Sequence, residues 1–271
     1  MEDFFIGGLK TVVKVGIALS GGAARCIAHL GVLEVFKKAG IPIHVLSGTS
    51  GGGLVGALYA SGKYSLGELI DRTSELSWWQ VTRPVISRQG LLSSDRIRRF
   101  VHQWLGEMTF DQTAIPLALV ATDMRTGEKV VLKEGPVATA VQASCSLPVV
   151  FKPTLYGGRP LIDGGYVSQI PVLAAREDLS ADFVIAVDVN YGGMEGAGAP
   201  RNMIQIAIHL ASLWARKNAG EEGRLADCLV RVNVSGIGLT DLRQGRKLLD
   251  RGRLAAQSSL PWLEKQLTGG S

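Results

Sequence analysis

The residues with the clearest chemical potential are a serine set among glycines. Gly48-Thr49-Ser50-Gly51-Gly52 fits the pattern G-x-S-x-G, between the apolar runs Ile41–Leu46 and Leu54–Tyr59. Between a strand and a helix this spacing makes a nucleophile elbow. The glycines let neighbouring backbones come close, and the hydroxyl is lifted out where unpaired helix N–H groups favour developing negative charge. A serine hydroxyl is a weak nucleophile at neutral pH. It needs a positioned base and donors for an oxyanion.

Histidine is the usual base, and the chain has His29, His44, His102 and His209. A Ser–Asp–His order places the histidine on a late loop. His44 precedes the elbow and the other three fall in expected helices, so each is read as structural. A carboxylate acting directly is the alternative. Asp163, Asp123 and Asp188 each end a strand-like run, and spacing does not choose among them. Asp163 is followed by Gly164 and Gly165, which suit a tight turn that presents a side chain to another loop. A second Gly-rich turn, Ser20-Gly21-Gly22-Ala23-Ala24-Arg25-Cys26, has neither the dinucleotide G-x-G-x-x-G nor a P-loop. Its Gly21 and Gly22 amides still suit an anion.

The elements that must position these groups alternate. Strands are expected over 12–19, 43–46, 117–122, 129–132, 183–189 and 228–234. Residues 147–151 and 154–162 also read as extended, with Gly157-Gly158 in the second run. Helices are expected over 27–39, after Ser50, over 137–144, 202–218 and 241–258, with Pro261 interrupting before a last short helix. Ser94 is expected to cap a surface helix with Ile97, Phe100, Val101, Trp104 and Leu105 on one stripe and Arg96, Arg98 and Arg99 off it. Residues 191–200 form a Gly-rich loop. The alternation predicts an α/β fold, a mostly parallel sheet covered on both faces.

The 271 residues allow one large domain, and 46% apolar with 20% charged residues excludes a disordered chain. A net charge of +5 is too small to argue for nucleic acid, though it suits an anionic membrane surface or an acidic substrate. Cys26, Cys145 and Cys228 form neither a disulfide framework nor a zinc site, which favours a reducing compartment. No secretory signal and no membrane-spanning run is read, so the expected location is cytoplasmic, with any membrane contact peripheral, at the inner face.

Three segments in order, Ser20–Cys26, Gly48–Gly52 and Asp163-Gly164-Gly165, resemble the bacterial patatin-like phospholipases. Ala28–Leu33, Ala143–Pro148 and Asp163–Pro171 extend the likeness, which spans about residues 12–190. The resemblance implies a three-layer αβα sandwich over residues 1–271, with 200–271 completing it. It implies a Ser–Asp dyad without catalytic histidine, Ser50 as nucleophile and Asp163 as base. It also implies an oxyanion hole from the amides of Gly21, Gly22 and Ala23, with Arg25 bracing that loop. Gly48, Gly51, Gly52, Gly164 and Gly165 shape the two turns. The implied activity is hydrolysis of lipid acyl esters, as phospholipase A, lysophospholipase or esterase, with no cofactor and no metal. The family usually carries glycine at the positions of Ala23 and Cys26. Either residue is accommodated at negative φ and strained at positive φ. Ser168-Gln169 stands where related sequences often carry Asn, and no role is read for the pair.

Two other functions share these motifs: acyl transfer to a thiol carrier, and a non-catalytic regulator binding a lipid or anion. Trp78, Trp79 and the arginines between residues 83 and 99 are a candidate contact with an anionic bilayer.

Overall fold

The structure is a computed structural model that describes residues 13–73, 94–193 and 200–267, with the backbone of two short strands, Phe5–Ile6 (β1) and Leu9–Lys10 (β2). The further strands are β3 (Val15–Leu19), β4 (Val45–Thr49), β5 (Leu117–Asp123), β6 (Lys129–Leu132), β7 (Thr154–Tyr156), β8 (Arg159–Asp163), β9 (Phe183–Asp188) and β10 (Cys228–Arg231). The helices are α1 (Ile27–Lys38), α2 (Gly51–Ala60), α3 (Leu66–Thr73), α4 (Asp95–Leu105), α5 (Val137–Ser144), α6 (Met203–Glu222) and α7 (Gly245–Leu267).

β3 to β10 form one sheet in the order β10-β9-β3-β4-β5-β8-β7, with β6 paired to β5. From β10 to β5 neighbours run parallel; β6, β7 and β8 are antiparallel additions. The short central strands read as near-continuous apolar runs because helices cover both faces. Along β3, Ile17 and Leu19 join the larger core with Leu30, Leu33 and Phe36 of α1, whereas Ala18 faces the second core with Ile170, Val172 and Ala219. α1 and α7 cross in backbone contact: a Cβ on Gly252 would lie 2.0 Å from the Ala28 carbonyl oxygen. The architecture is the expected three-layer α/β arrangement.

The register positions the chemistry. Thr49, the last residue of β4, pairs with Val120 of β5. Asp163, the last residue of β8, pairs with the adjacent Ala121. Ser50 and Asp163 thus leave the sheet beside one another, flanking β5.

Several expected elements differ. Residues 147–151 are a turn, with the Phe151 N–H donating to the Leu147 carbonyl at 2.7 Å and Val149 at φ 69°. β10 stops at Arg231 because its partner strand ends opposite, at Asp188. α7 runs through Pro261 without interruption. Pro261 and Gln257 face solvent, so water can take the carbonyl the proline leaves unpaired, while buried Leu263 and Leu267 hold the last turns. Ser94 precedes α4 but makes no side-chain cap; its hydroxyl accepts from the Gln142 amide at 3.1 Å. The α4 stripe is buried as expected at Ile97, Phe100, Val101 and Leu105, with Arg98 and Arg99 exposed. Trp78, Trp79 and the arginines before Ser94 lie outside the described residues.

Candidate active site

The β4–α2 turn places Ser50 at φ 51° and ψ −127°, a conformation few non-glycine residues adopt. Such geometry costs about 1–3 kcal/mol and persists only where its surroundings enforce it. Here the Ser50 N–H donates to the Ser144 hydroxyl at 2.8 Å, and that hydroxyl donates to the Val120 carbonyl at 2.6 Å. The Thr49 hydroxyl is anchored on the Ser168 carbonyl at 2.7 Å. Helix α2 starts directly against the end of β3. A Cβ on Gly52 would lie 2.3 Å from the Ser20 carbonyl oxygen, and one on Gly51 would meet the Cys26 sulfur at 2.7 Å. A Cβ on Gly48 would lie 2.6 Å from the Gly53 Cα.

The Ser20–Cys26 loop is therefore pressed onto the elbow. A Cβ on Gly21 would stand 3.3 Å from the Ser50 Cβ. The Gly21 N–H is committed to the Gln169 carbonyl at 3.0 Å, and the Gly21 carbonyl accepts from the side-chain amides of Gln169 at 3.0 Å and Asn190 at 2.7 Å. The N–H groups of Gly22 and Ala23 have no hydrogen-bond partner among the described residues. Ala23 sits at φ 47°, so the strain foreseen for a positive φ is present there. Cys26, at φ −63°, is already helical and unstrained. Arg25 is buried and donates to the Ile237 carbonyl at 2.7 and 3.1 Å and to the Gly193 carbonyl at 2.8 Å. With the Ala24 N–H on the Leu239 carbonyl, it ties this loop to the segments after β9 and β10.

Asp163 is buried, and its carboxylate accepts from the Gly165 N–H at 2.8 Å. Burial pushes its pKa up to about 6, against the neighbouring Ser50 hydroxyl and the Gly165 N–H, which favour the ionised form. The turn after it lies flat on β5: a Cβ on Gly164 would be 2.2 Å from the Val120 carbonyl oxygen. One on Gly165 would meet the Gln169 Oε1 at 2.6 Å.

The other candidate acids are engaged elsewhere. Asp123 accepts from the Arg125 N–H at 2.8 Å and from Arg159 Nε at 2.7 Å, which hold its carboxyl below the usual range. Asp188 accepts from the Asn190 N–H at 2.8 Å, and burial raises its pKa. His29 is buried with Nε2 2.9 Å from the Ser20 carbonyl oxygen, so that nitrogen carries the proton. Burial lowers its pKa to about 4 and keeps the ring neutral. His44 Nδ1 accepts from the Val15 N–H, His102 meets Glu107 at the surface, and His209 lies on α6.

Five residues around the site had been given no site role from sequence. Ser144 pins the elbow, and burial raises the pKa of the neighbouring Cys145 thiol. Gln169 and Asn190 hold Gly21. Glu222, at the end of α6, accepts from the Ser168 hydroxyl and from the Ile170 N–H at 2.9 Å, and burial pushes its pKa up to about 7. The sequence signal for Ser144 and Gln169 was their place in stretches flanking the motifs; Asn190 and Glu222 act across distances no spacing rule covers. Among the described residues no three His, Cys, Asp or Glu side chains cluster as a metal site. What the arrangement offers is a strained hydroxyl, a carboxylate able to take its proton, and two open amide donors.

Residues 17–176 match the family model described as patatin-like phospholipase. An uncharacterised NTE family protein of Mycobacterium tuberculosis is 33% identical over 241 residues, covering 88% of this chain and 61% of that protein. A protein of Debaryomyces hansenii named lysophospholipase NTE1 is 32% identical over 214 residues, 76% of this chain but 13% of its own length. The chain thus spans about three-fifths of the mycobacterial relative and a small part of the yeast one. Among solved structures, VipD from Legionella pneumophila superposes with a TM-score of 0.55 at 14% identity, over 93% of this chain and 67% of that one. This last likeness is one of fold.

Proposed function

Because the chain belongs to the patatin-like phospholipase family, we propose that it hydrolyses acyl esters of lipids through Ser50 and Asp163. The observation that supports this reading is that strained Ser50, leaving β4 opposite Val120, and buried Asp163, leaving β8 opposite Ala121, emerge on either side of β5, with the Ser50 hydroxyl favouring the ionised Asp163 carboxylate. Ionised Asp163 takes the Ser50 proton as Oγ attacks the ester carbonyl. The oxyanion that forms is held by the N–H groups of Gly22 and Ala23, since Gly21 has spent its own on Gln169. Collapse breaks the ester C–O bond, and the proton on Asp163 passes to the leaving alcohol. Water then attacks the acyl-serine with Asp163 again as base, which releases the fatty acid and returns a proton to Ser50.

Arg25, Gln169 and Asn190 position the oxyanion loop in this scheme, and Gly48, Gly51, Gly52, Gly164 and Gly165 permit the close approaches. No step calls for a metal or a cofactor. The named lysophospholipase relative favours a phospholipid or lysophospholipid ester as substrate.

The test is fatty-acid release from a panel of lysophospholipids, diacyl phospholipids and triacylglycerols. Turnover of at least one class that disappears in Ser50→Ala is expected. Equal release by wild type and Ser50→Ala would refute the reading.

A further inference from the structure

Helix α6 is built inside out. On a helix docked to a core, large apolar residues face inward and polar residues outward. In α6 the inward positions after half-buried Ile208 are small or polar: Ala211, Ser212, Ala215, Asn218, Ala219 and Glu222 are buried or half-buried. The outward stripe holds Met203, Ile206, Leu210, Leu213 and Trp214, at spacings of three, four, three and one. Met203 is 85% exposed, Leu210 59% and Trp214 50%. Large side chains left in water on one continuous face mark a surface that something apolar covers.

The charges beside the stripe narrow the choice of partner. Arg201, Arg216, Lys217 and Arg224 are exposed along or just beyond the helix, against Glu221 as the exposed acid of its last turn. Lys217 Nζ stands 5.5 Å from the Trp214 ring centroid. An apolar stripe with a tryptophan, bordered by cations, is the pattern of a helix lying in the headgroup region of an anionic bilayer. The helix is fastened to the site from both faces. Trp214 Nε1 donates to the Tyr166 carbonyl at 2.7 Å, and Asn218 Nδ2 donates to the same carbonyl at 2.9 Å. Tyr166 lies three residues after Asp163.

We propose that the outer face of α6 docks on an anionic lipid surface and holds the Ser50–Asp163 mouth against it. The proposal rests on the lipid-ester reading for its purpose but not for its test. No helix among the described residues is long and apolar enough to cross a membrane, so the contact is one of a helix lying on the surface.

The test is co-sedimentation of the full chain with vesicles of phosphatidylglycerol and phosphatidylcholine, or of phosphatidylcholine alone. Binding to the anionic vesicles is expected, and Ile206→Ser/Leu210→Ser/Leu213→Ser should lower the partition coefficient about 100-fold or more. Turnover of p-nitrophenyl butyrate by that variant should stay at the wild-type level. Quenching of wild-type tryptophan fluorescence by brominated lipid should fall in Trp214→Phe, which covers the case in which the triple variant does not fold. Failure of the wild type to bind anionic vesicles, binding undiminished in a folded triple variant, or quenching undiminished in Trp214→Phe would overturn the proposal. So would a wild-type dimer that the triple variant dissociates without loss of vesicle binding, which assigns the stripe to a second copy of this chain. Ser50→Ala should bind vesicles as wild type does, so failure of the hydrolase reading and failure of this one give different results.

Discussion

Gln169 and Gly21 are bonded in both directions, the Gly21 N–H to the Gln169 carbonyl and the Gln169 side-chain amide to the Gly21 carbonyl, each at 3.0 Å. The pair fastens the loop beside Ser50 to the segment that follows Asp163. In the proposed mechanism this takes the Gly21 amide out of the oxyanion donors and leaves those of Gly22 and Ala23.

Gln169→Ala should therefore loosen the loop without touching the nucleophile or base. Its kcat on p-nitrophenyl butyrate should fall about 10- to 100-fold, less than or equal to the loss of one oxyanion donor. KM should change little, because the loop is needed in the transition state rather than for binding. A rise in KM at unchanged kcat would assign Gln169 to substrate binding.

The dyad has a pH signature. Asp163 must be ionised to accept the Ser50 proton, and its pKa is pushed up to about 6. The kcat/KM profile should rise with slope one up to about pH 6 and flatten above it. Stability runs the other way. Between the ordinary carboxyl value, about 4, and 6 the native state holds more protons than the unfolded one, so stability falls as pH rises through that window. Asp163→Asn should raise stability on the order of 2 kcal/mol at pH 8, measured by urea unfolding.

Glu222 carries the same sign over a different window. Its pKa is pushed up to about 7 from an ordinary 4.5, so its share of stability is lost as pH rises from 4.5 to 7. Glu222→Gln removes the buried charge, keeps its amide oxygen as acceptor for the Ile170 N–H and turns its NH2 to donate to the Ser168 hydroxyl oxygen. The variant should be more stable than wild type at pH 8 and similar at pH 5, read from urea midpoints.

Ala23 at φ 47° is strained where the family usually has glycine. A left-handed non-glycine residue costs about 1–2 kcal/mol, and the extra freedom of an unfolded glycine offsets about half of that. Ala23→Gly should stabilise the protein by up to about 1 kcal/mol and leave kcat within a few-fold. A clear loss of stability would show that the loop relaxes away from this conformation.

How much of this was legible beforehand depended on range. Ser50 and Asp163 could be read because each lies in a short run whose glycines and flanking strand declare the turn. Which acid lies beside Ser50 could not be read from spacing, because the pairing of Thr49 with Val120 and of Asp163 with Ala121 is a property of the assembled sheet. Gln169, Asn190 and Glu222 meet their partners across long stretches of chain, as in the 148 residues between Gly21 and Gln169. Pro261 was misread because local rules end a helix there, whereas the packing of Leu263 and Leu267 continues it. Residues 147–151 look extended by composition, yet the chain must turn between α5 and β7. The helix over 202–218 could be read, but not that Met203, Leu210 and Trp214 face outward, because which side a helix buries is a property of the packed fold.

The most direct test of the central claim is the reaction of Asp163→Asn with p-nitrophenyl butyrate, alongside Ser50→Ala and a fluorophosphonate probe. The account predicts probe labelling at Ser50 in wild type, none in Ser50→Ala, and a fall in kcat of at least about 1,000-fold in a folded Asp163→Asn. Turnover by Asp163→Asn within about tenfold of wild type would contradict it.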